Sequence, residues 1–148
     1  MTALHATLNT INRAFTAPKF KASADLFGRI GLAAIFLLAG INKIQNFEGS
    51  AQYLASAGLP EALLPAVIAF EVLAALALIV GFITRLTALG LAVFSVATAL
   101  MFHGNLGDQM QFILFFKNIA MAGGFLVLAA HGAGAFSLDA KFEGRVER

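Results

Sequence analysis

Four long apolar runs, separated by short polar or glycine-containing segments, constrain this sequence most. They cover residues 26–46, 62–82, 86–103 and 110–131. Each run is long enough for a helix that crosses a hydrocarbon core of about 30 Å. Hydrophobic residues make up 59% of the 148 residues and charged residues only 12%, too few charges to cover the surface of a water-soluble domain. The sequence therefore predicts an all-α fold, a polytopic membrane four-helix bundle.

The segments outside these runs are amphipathic or polar. In the N-terminal segment, residues 1–25, apolar residues recur at helical spacing at Leu4, Leu8, Ile11 and Phe15, which predicts an amphipathic interfacial helix. The segment between the first two runs has the pattern of a second interfacial helix that covers one end of the bundle. Residues 132–148 are expected to form a tail.

The basic residues predict the orientation of the chain in the membrane. If four helices alternate in direction, eight of the ten Lys and Arg residues fall on one side, where cytoplasmic segments are expected. These eight are Arg13, Lys19, Lys21, Arg29, Arg85, Lys141, Arg145 and Arg148. Both termini, and with them segments 1–25 and 132–148, are therefore predicted to be cytoplasmic. Anionic lipid headgroups account for the sequence pI of about 9.3, and no nucleic-acid partner is expected.

Several polar residues lie inside the predicted helices, all in the outer half of the bundle. At a rise of about 1.5 Å per residue, Glu71 lies roughly 13 Å and Lys117 roughly 10 Å below the outer face. A charge that faces lipid is costly, so we expect a Glu71–Lys117 ion pair. Asn42, Lys43, His103 and Asn118 are expected nearby, although Lys43 is close enough to the helix end to reach the headgroups instead.

Metal and thiol chemistry find no support in the sequence. There is no cysteine, which excludes disulfide chemistry, thiol catalysis and thiolate metal sites. His103 and His131 end successive predicted helices at opposite membrane faces, so they cannot share an ion. No flavin, haem or iron–sulfur motif is present. We predict no metal site and no intrinsic cofactor.

The polar residues also form part of a set of motifs. "GINKIQNF" ends the first run, "AGLP" precedes the second, which contains Glu71, and "GFITR" follows it. Arg29, His103, Lys117 and the ending "HGAGAFSLD" complete the set. Over about residues 24–140 the chain resembles the DoxX family, although Ala133 replaces a proline of the family's ending. The resemblance implies a small multi-pass protein of the bacterial plasma (inner) membrane, and some members are subunits or accessory proteins of quinone-linked oxidoreductases.

Three functions fit these observations. The leading hypothesis is a membrane subunit or accessory protein of a redox system, with electrons supplied by a soluble or membrane partner. A quinone would then be the ligand, and Glu71, Lys117 and His103 are the candidates for catalysis. The predicted quinone-binding residues are Asn42, Lys43, Glu71, His103, Lys117 and Asn118. The alternatives are a transporter or channel for protons or a small solute, helped by formation of a homo-oligomer, and a structural assembly protein with the ion pair as a clamp.

Overall fold

The computed structural model describes residues 3–146, almost all of them helical. The helices are α1 (Ala3–Phe15), α2 (Pro18–Gln45), α3 (Phe47–Ser56), α4 (Leu64–Val80), α5 (Thr84–Phe102), α6 (Gln109–His131) and α7 (Leu138–Val146), with a 3₁₀ turn at Glu61–Leu63 before α4. The described residues include no strand. Residues 1–2 and 147–148, which belong to the predicted terminal segments, lie outside the described residues.

Four of these helices are long and apolar enough to cross a membrane, namely Pro18–Gln45, Glu61–Val80 (the 3₁₀ turn with α4), Thr84–Phe102 and Gln109–His131. The predicted all-α polytopic bundle is confirmed. The first span begins at Pro18 rather than at residue 26, because proline is well suited to the first helical turn and the polar residues that follow extend the helix beyond its apolar part.

The four spanning helices form a ring in chain order. α2 packs along α4 and α5 along α6, whereas the contact that closes the ring between α2 and α6 is sparse. Small residues such as Ala33, Ala75 and Ala88 are fully buried between the helices. This is expected in lipid, where helices associate through close backbone packing because the hydrophobic effect does not drive them together. Phe36 and Phe125 join α2 to α6 with ring centroids 5.5 Å apart.

Gly40 permits the closest approach of α2 to α4. A Cβ atom at this position would lie 2.6 Å from Cγ2 of Val72 and 3.5 Å from Cβ of Glu71. A larger side chain at this position would therefore force the Val72 side chain or α4 to shift. Gly40 therefore contributes to the close approach of these two helices, next to the carboxylate that the sequence analysis singled out.

We call the end of the bundle that holds both chain termini the terminal end. There, Asp139 caps the start of α5. Its carboxylate accepts hydrogen bonds from the backbone N–H groups of Ile83 at 2.8 Å and Thr84 at 2.9 Å, which occupy donors left free at the start of α5. Ile83 has the left-handed value φ 48°, and this capping bond holds it there. Burial alone would raise the pKa of the Asp139 carboxyl, but these bonds and the nearby Arg29 guanidinium together hold the pKa below its usual value.

Arg29 and Arg85 join the same end to backbone carbonyl groups. Arg29 is 1% exposed, and its guanidinium donates hydrogen bonds to the carbonyl oxygens of Ala133, Phe136 and Ile79. Arg85 donates to the carbonyl oxygens of Ala129 and Ala130 at the end of α6. Arg29 thus holds the segment after α6 against the bundle, and Arg85 joins the start of α5 to the end of α6.

The opposite end, the loop end, carries α3. Ala51 and Leu54 of α3 are buried with Leu64 of α4, and the Tyr53 ring stacks on Phe102 at 5.1 Å. α3 therefore covers the loop end of the bundle. At the terminal end, α1 exposes Leu4, Leu8, Ile11 and Phe15; that these residues lie in the membrane interface stays a prediction.

Candidate functional site

A cavity of about 940 Å³ lies between the spanning helices at the loop end, beneath α3. We call it the loop-end cavity. All six residues that the sequence analysis grouped as a binding site line it: Asn42, Lys43, Glu71, His103, Lys117 and Asn118. Their placement in one cavity is observed, while their roles stay predictions.

The ion pair in the cavity is not the one that we expected. Glu71 pairs with Lys43, whose Nζ atom donates to both carboxylate oxygens at 2.9 Å. The Glu71 side chain is 5% exposed and that of Lys43 28%. The prediction of a Glu71–Lys117 pair was wrong, and so was the alternative in which Lys43 reaches the headgroups.

The packing of the helices explains the choice of partner. Glu71 lies on α4, which packs against α2, and Lys43 follows the close contact at Gly40 by less than one helical turn. Lys117 lies on α6, whose main neighbour is α5. Estimates of depth from the sequence give the level of a residue in the membrane. They do not reveal which helices are neighbours.

Lys117 lines the cavity, and no side chain within the described residues pairs with it. Among residues 4–144, whose side chains the structure describes, the Lys43–Glu71 contact is the one salt bridge, and no hydrogen bond of Lys117 is present there. The charged side chains at the cavity are thus one neutralised pair and one unpaired ammonium group.

Two neutral polar residues of the lining make side-chain hydrogen bonds. His103 Nδ1 donates to Gln111 Oε1 at 2.8 Å, and Asn118 Nδ2 donates to Thr98 Oγ1 across a longer distance of 3.5 Å. The sequence analysis missed Gln111 and Thr98. A signal existed for Gln111, which lies in the first turn of the fourth span at the same end as His103, whereas an isolated threonine in an apolar helix carries no such signal.

Apart from Asn46, Ser50 and Tyr53, the remaining lining of the cavity is apolar, and α2 and α6 contribute exposed side chains to it. These helices meet nearer the terminal end, where a Cβ atom on Gly124 would lie 3.1 Å from Cδ2 of Leu32. Beyond that contact, towards the loop end, they enclose the cavity. Leu38 of α2 lines it and is 65% exposed on the outer surface, and Lys117 of α6 is also exposed. From these two exposed lining residues we infer that the cavity is open to lipid between α2 and α6.

A second, smaller cavity of about 490 Å³ lies at the terminal end. It is lined by Arg85, His131, Asp139 and Glu143 among others, but Arg85 and Asp139 already bind backbone groups there. Within the described part of the chain, no group of three or more His, Cys, Asp or Glu side chains is placed to hold a metal ion. The loop-end cavity is therefore the candidate functional site.

Four apolar spanning helices around a polar-lined cavity define a multi-pass membrane protein. Comparison with known proteins narrows the class. The family model described as DoxX matches residues 24–104, and the chain belongs to the DoxX family.

Two relatives from Escherichia coli (strain K12) are similar over most of their length. The chain is 42% identical to inner membrane protein YqjF over 114 residues, which cover 77% of this chain and 88% of that protein. It is 40% identical to inner membrane protein YphA over 121 residues, which cover 77% of this chain and 86% of that protein. No solved structure gives a significant match.

Proposed function

We propose that this protein is a membrane subunit or accessory protein of a quinone-linked redox system and that the loop-end cavity holds the quinone. The observation that carries the proposal is the cavity itself, which combines a largely apolar wall with several hydrogen-bond donors and includes exposed side chains of α2 and α6, where we infer an opening to lipid. Its volume of about 940 Å³ falls in the range of small-molecule sites.

The chemistry of a quinone matches this arrangement. Its ring and isoprenoid tail are apolar and reach a site from the bilayer, which suits the opening inferred between α2 and α6. Its two carbonyl oxygens need donors, and Lys117 and Asn118 supply them from the cavity wall, whereas the Nδ1–H of His103 is already bound to Gln111. On reduction the quinone takes up two protons and two electrons. Glu71 and His103 are the groups that would pass protons, and a soluble or membrane partner would supply the electrons.

The location follows from the relatives and from charge. YqjF and YphA are named as inner membrane proteins, and we assign this chain to the same membrane. Basic residues at the terminal end include Arg29 and Arg85, so both termini are cytoplasmic in this proposal. The chain contains no cysteine, so single cysteines introduced at either end can be labelled from one side of the membrane to test this orientation.

The test of the quinone proposal is retention of quinone by the purified protein. Native mass spectrometry in mild detergent compares wild type with Ala97→Phe, which places a ring in the cavity. Val93→Phe is the matched control, because Val93 lies on the same helix, is 64% exposed and does not line the cavity. Quinone bound to wild type and Val93→Phe but absent from Ala97→Phe supports the proposal. Equal retention by all three proteins would place any quinone elsewhere.

The same cavity is also compatible with a transporter, because a buried carboxylate faces an internal space of this size. Flux into proteoliposomes by the protein alone, lost in Glu71→Gln, would favour transport. Loss of quinone-dependent activity in a folded Glu71→Gln protein would favour the redox role. If Glu71→Gln abolishes folding and no separable activity exists, the pair is a structural clamp.

A further inference from the structure

Lys117 places an uncompensated positive charge on the wall of the loop-end cavity. Glu71 is the carboxylate that lines the cavity, and both of its oxygens already accept from Lys43. No other acidic side chain lines the cavity within the described part of the chain. An ammonium group at membrane depth is costly unless it is paired or hydrated. The chain thus supplies the cation and leaves its counter-ion to come from elsewhere.

The position of Lys117 indicates how such a counter-ion would arrive. Lys117 on α6 and Leu38 on α2 both line the cavity and are both exposed on the outer surface, where we inferred the opening to lipid. Beyond this opening the cavity is lined by apolar side chains such as Phe94 and Met121, with Asn118 next to Lys117 in sequence. A ligand that enters here passes its charged head over Lys117 and leaves its apolar body between the two helices.

We propose that the loop-end cavity binds a lipophilic monoanion whose ionised oxygen contacts Nζ of Lys117. The proposal goes beyond the quinone assignment, because it specifies the charge of the head group whatever body carries it. Two sources share this chemistry, namely a long-chain fatty acid and a quinone with an acidic ring hydroxyl. The Lys43–Glu71 pair contributes no net charge, so Lys117 alone accounts for the preference for an anion.

The chain contains a built-in reporter for this site. It has one tyrosine and no tryptophan, and that tyrosine, Tyr53, lines the loop-end cavity. Its fluorescence is therefore quenched by a heavy atom bound in the cavity. Brominated stearate supplies a lipophilic carboxylate with such an atom, and its methyl ester is the neutral match that measures quenching from the surrounding lipid or detergent.

The experiment titrates the full chain, in vesicles of phosphatidylcholine, with both compounds. We expect saturable quenching by the acid, with an apparent affinity about tenfold to a hundredfold above that of the ester, as for a hydrogen bond to a charged group. Lys117→Gln should remove this difference and Lys117→Arg should retain it. Lys141→Gln, at the terminal end and exposed, should behave as wild type. Equal quenching by acid and ester in wild type would overturn the proposal without any variant, as would an unchanged acid preference in folded Lys117→Gln.

Competition then separates the two sources. A hydroxynaphthoquinone that displaces brominated stearate, when its O-methyl ether does not, extends the charge preference to quinones. Displacement by neither compound restricts the site to carboxylates and withdraws support from the quinone function, while the charge preference stands. Displacement by both compounds alike supports quinone binding and contradicts the charge preference. The two proposals can therefore fail separately.

Discussion

The Lys43–Glu71 ion pair predicts an asymmetric response to the loss of each partner. Lys43→Met leaves a carboxylate that is 5% exposed without its counter-charge, whereas Glu71→Leu leaves an ammonium that is 28% exposed. Lys43 lies in the last turn of α2, so its flexible side chain can turn towards the headgroups. The carboxylate has no comparable escape, because Glu71 lies in the middle of α4.

The magnitudes follow from these burials. Removing one partner of a buried pair costs about 3–5 kcal/mol, and the partial exposure of Lys43 places Lys43→Met near the lower limit, at about 3 kcal/mol. Glu71→Leu should cost only about 1 kcal/mol, close to the net worth of one hydrogen bond. The double variant replaces the pair by apolar side chains and should fall within about 1 kcal/mol of wild type.

Equilibrium unfolding with SDS in mixed micelles, followed by far-ultraviolet circular dichroism, measures all four proteins of this double-mutant cycle. Lys141→Met is the matched control for loss of a lysine outside the bundle and should change stability by less than about 0.5 kcal/mol. The reasoning is refuted if Glu71→Leu is as destabilising as Lys43→Met, or if the double variant shows the simple sum of the two single effects.

Three further predictions concern the packing and the terminal end. Gly40→Ala should lower the free energy of unfolding by about 1–3 kcal/mol, since its Cβ would meet Val72. Gly31→Ala on the same helix, where a Cβ would have no atom within 4 Å, should not destabilise the protein in the same SDS assay. Equal losses of stability in the two variants would contradict the proposed contact. Because the folded-state pKa of Asp139 is lowered, its contribution to stability is present above the unfolded-state pKa and lost as pH falls through the folded-state pKa. Thermal unfolding across acidic pH should therefore show a loss of stability that Asp139→Asn reduces. An identical pH dependence in the variant would count against the capping role. Arg29→Lys should recover only part of the stability lost in Arg29→Met, because a lysine cannot donate in the planar geometry that reaches three carbonyl groups. Full recovery in SDS unfolding would show that a positive charge alone is sufficient for this stability.

The spanning helices could be predicted from the sequence because lipid imposes a minimum apolar length that few other structures satisfy. The level of each polar residue followed from the helical rise, and this placed Glu71, Lys117 and His103 at one end of the bundle. These predictions depend on one helix at a time, so they needed no knowledge of the arrangement of the helices.

The partner of Glu71 could not be predicted in the same way, because it depends on which helices are neighbours. Gly40 contributes to this by allowing α2 to approach α4, but a glycine in an apolar run can equally well lie on a helix face that contacts only lipid. The role of Asp139 was equally hidden, since its hydrogen bonds to Ile83 and Thr84 join segments more than 50 residues apart. Contacts between such distant segments form only in the packed fold, so no local sequence pattern reveals them.

Photoaffinity labelling with an azidoquinone tests the central claim most directly. With the protein in a lipid bilayer, labelling followed by peptide mapping should modify the cavity-facing residues of α2 and α6, among them Leu38 and Met121. Ala97→Phe should abolish this labelling and Val93→Phe should leave it unchanged. Labels spread over the outer faces of the helices, and equal in all three proteins, would contradict a quinone site in the loop-end cavity.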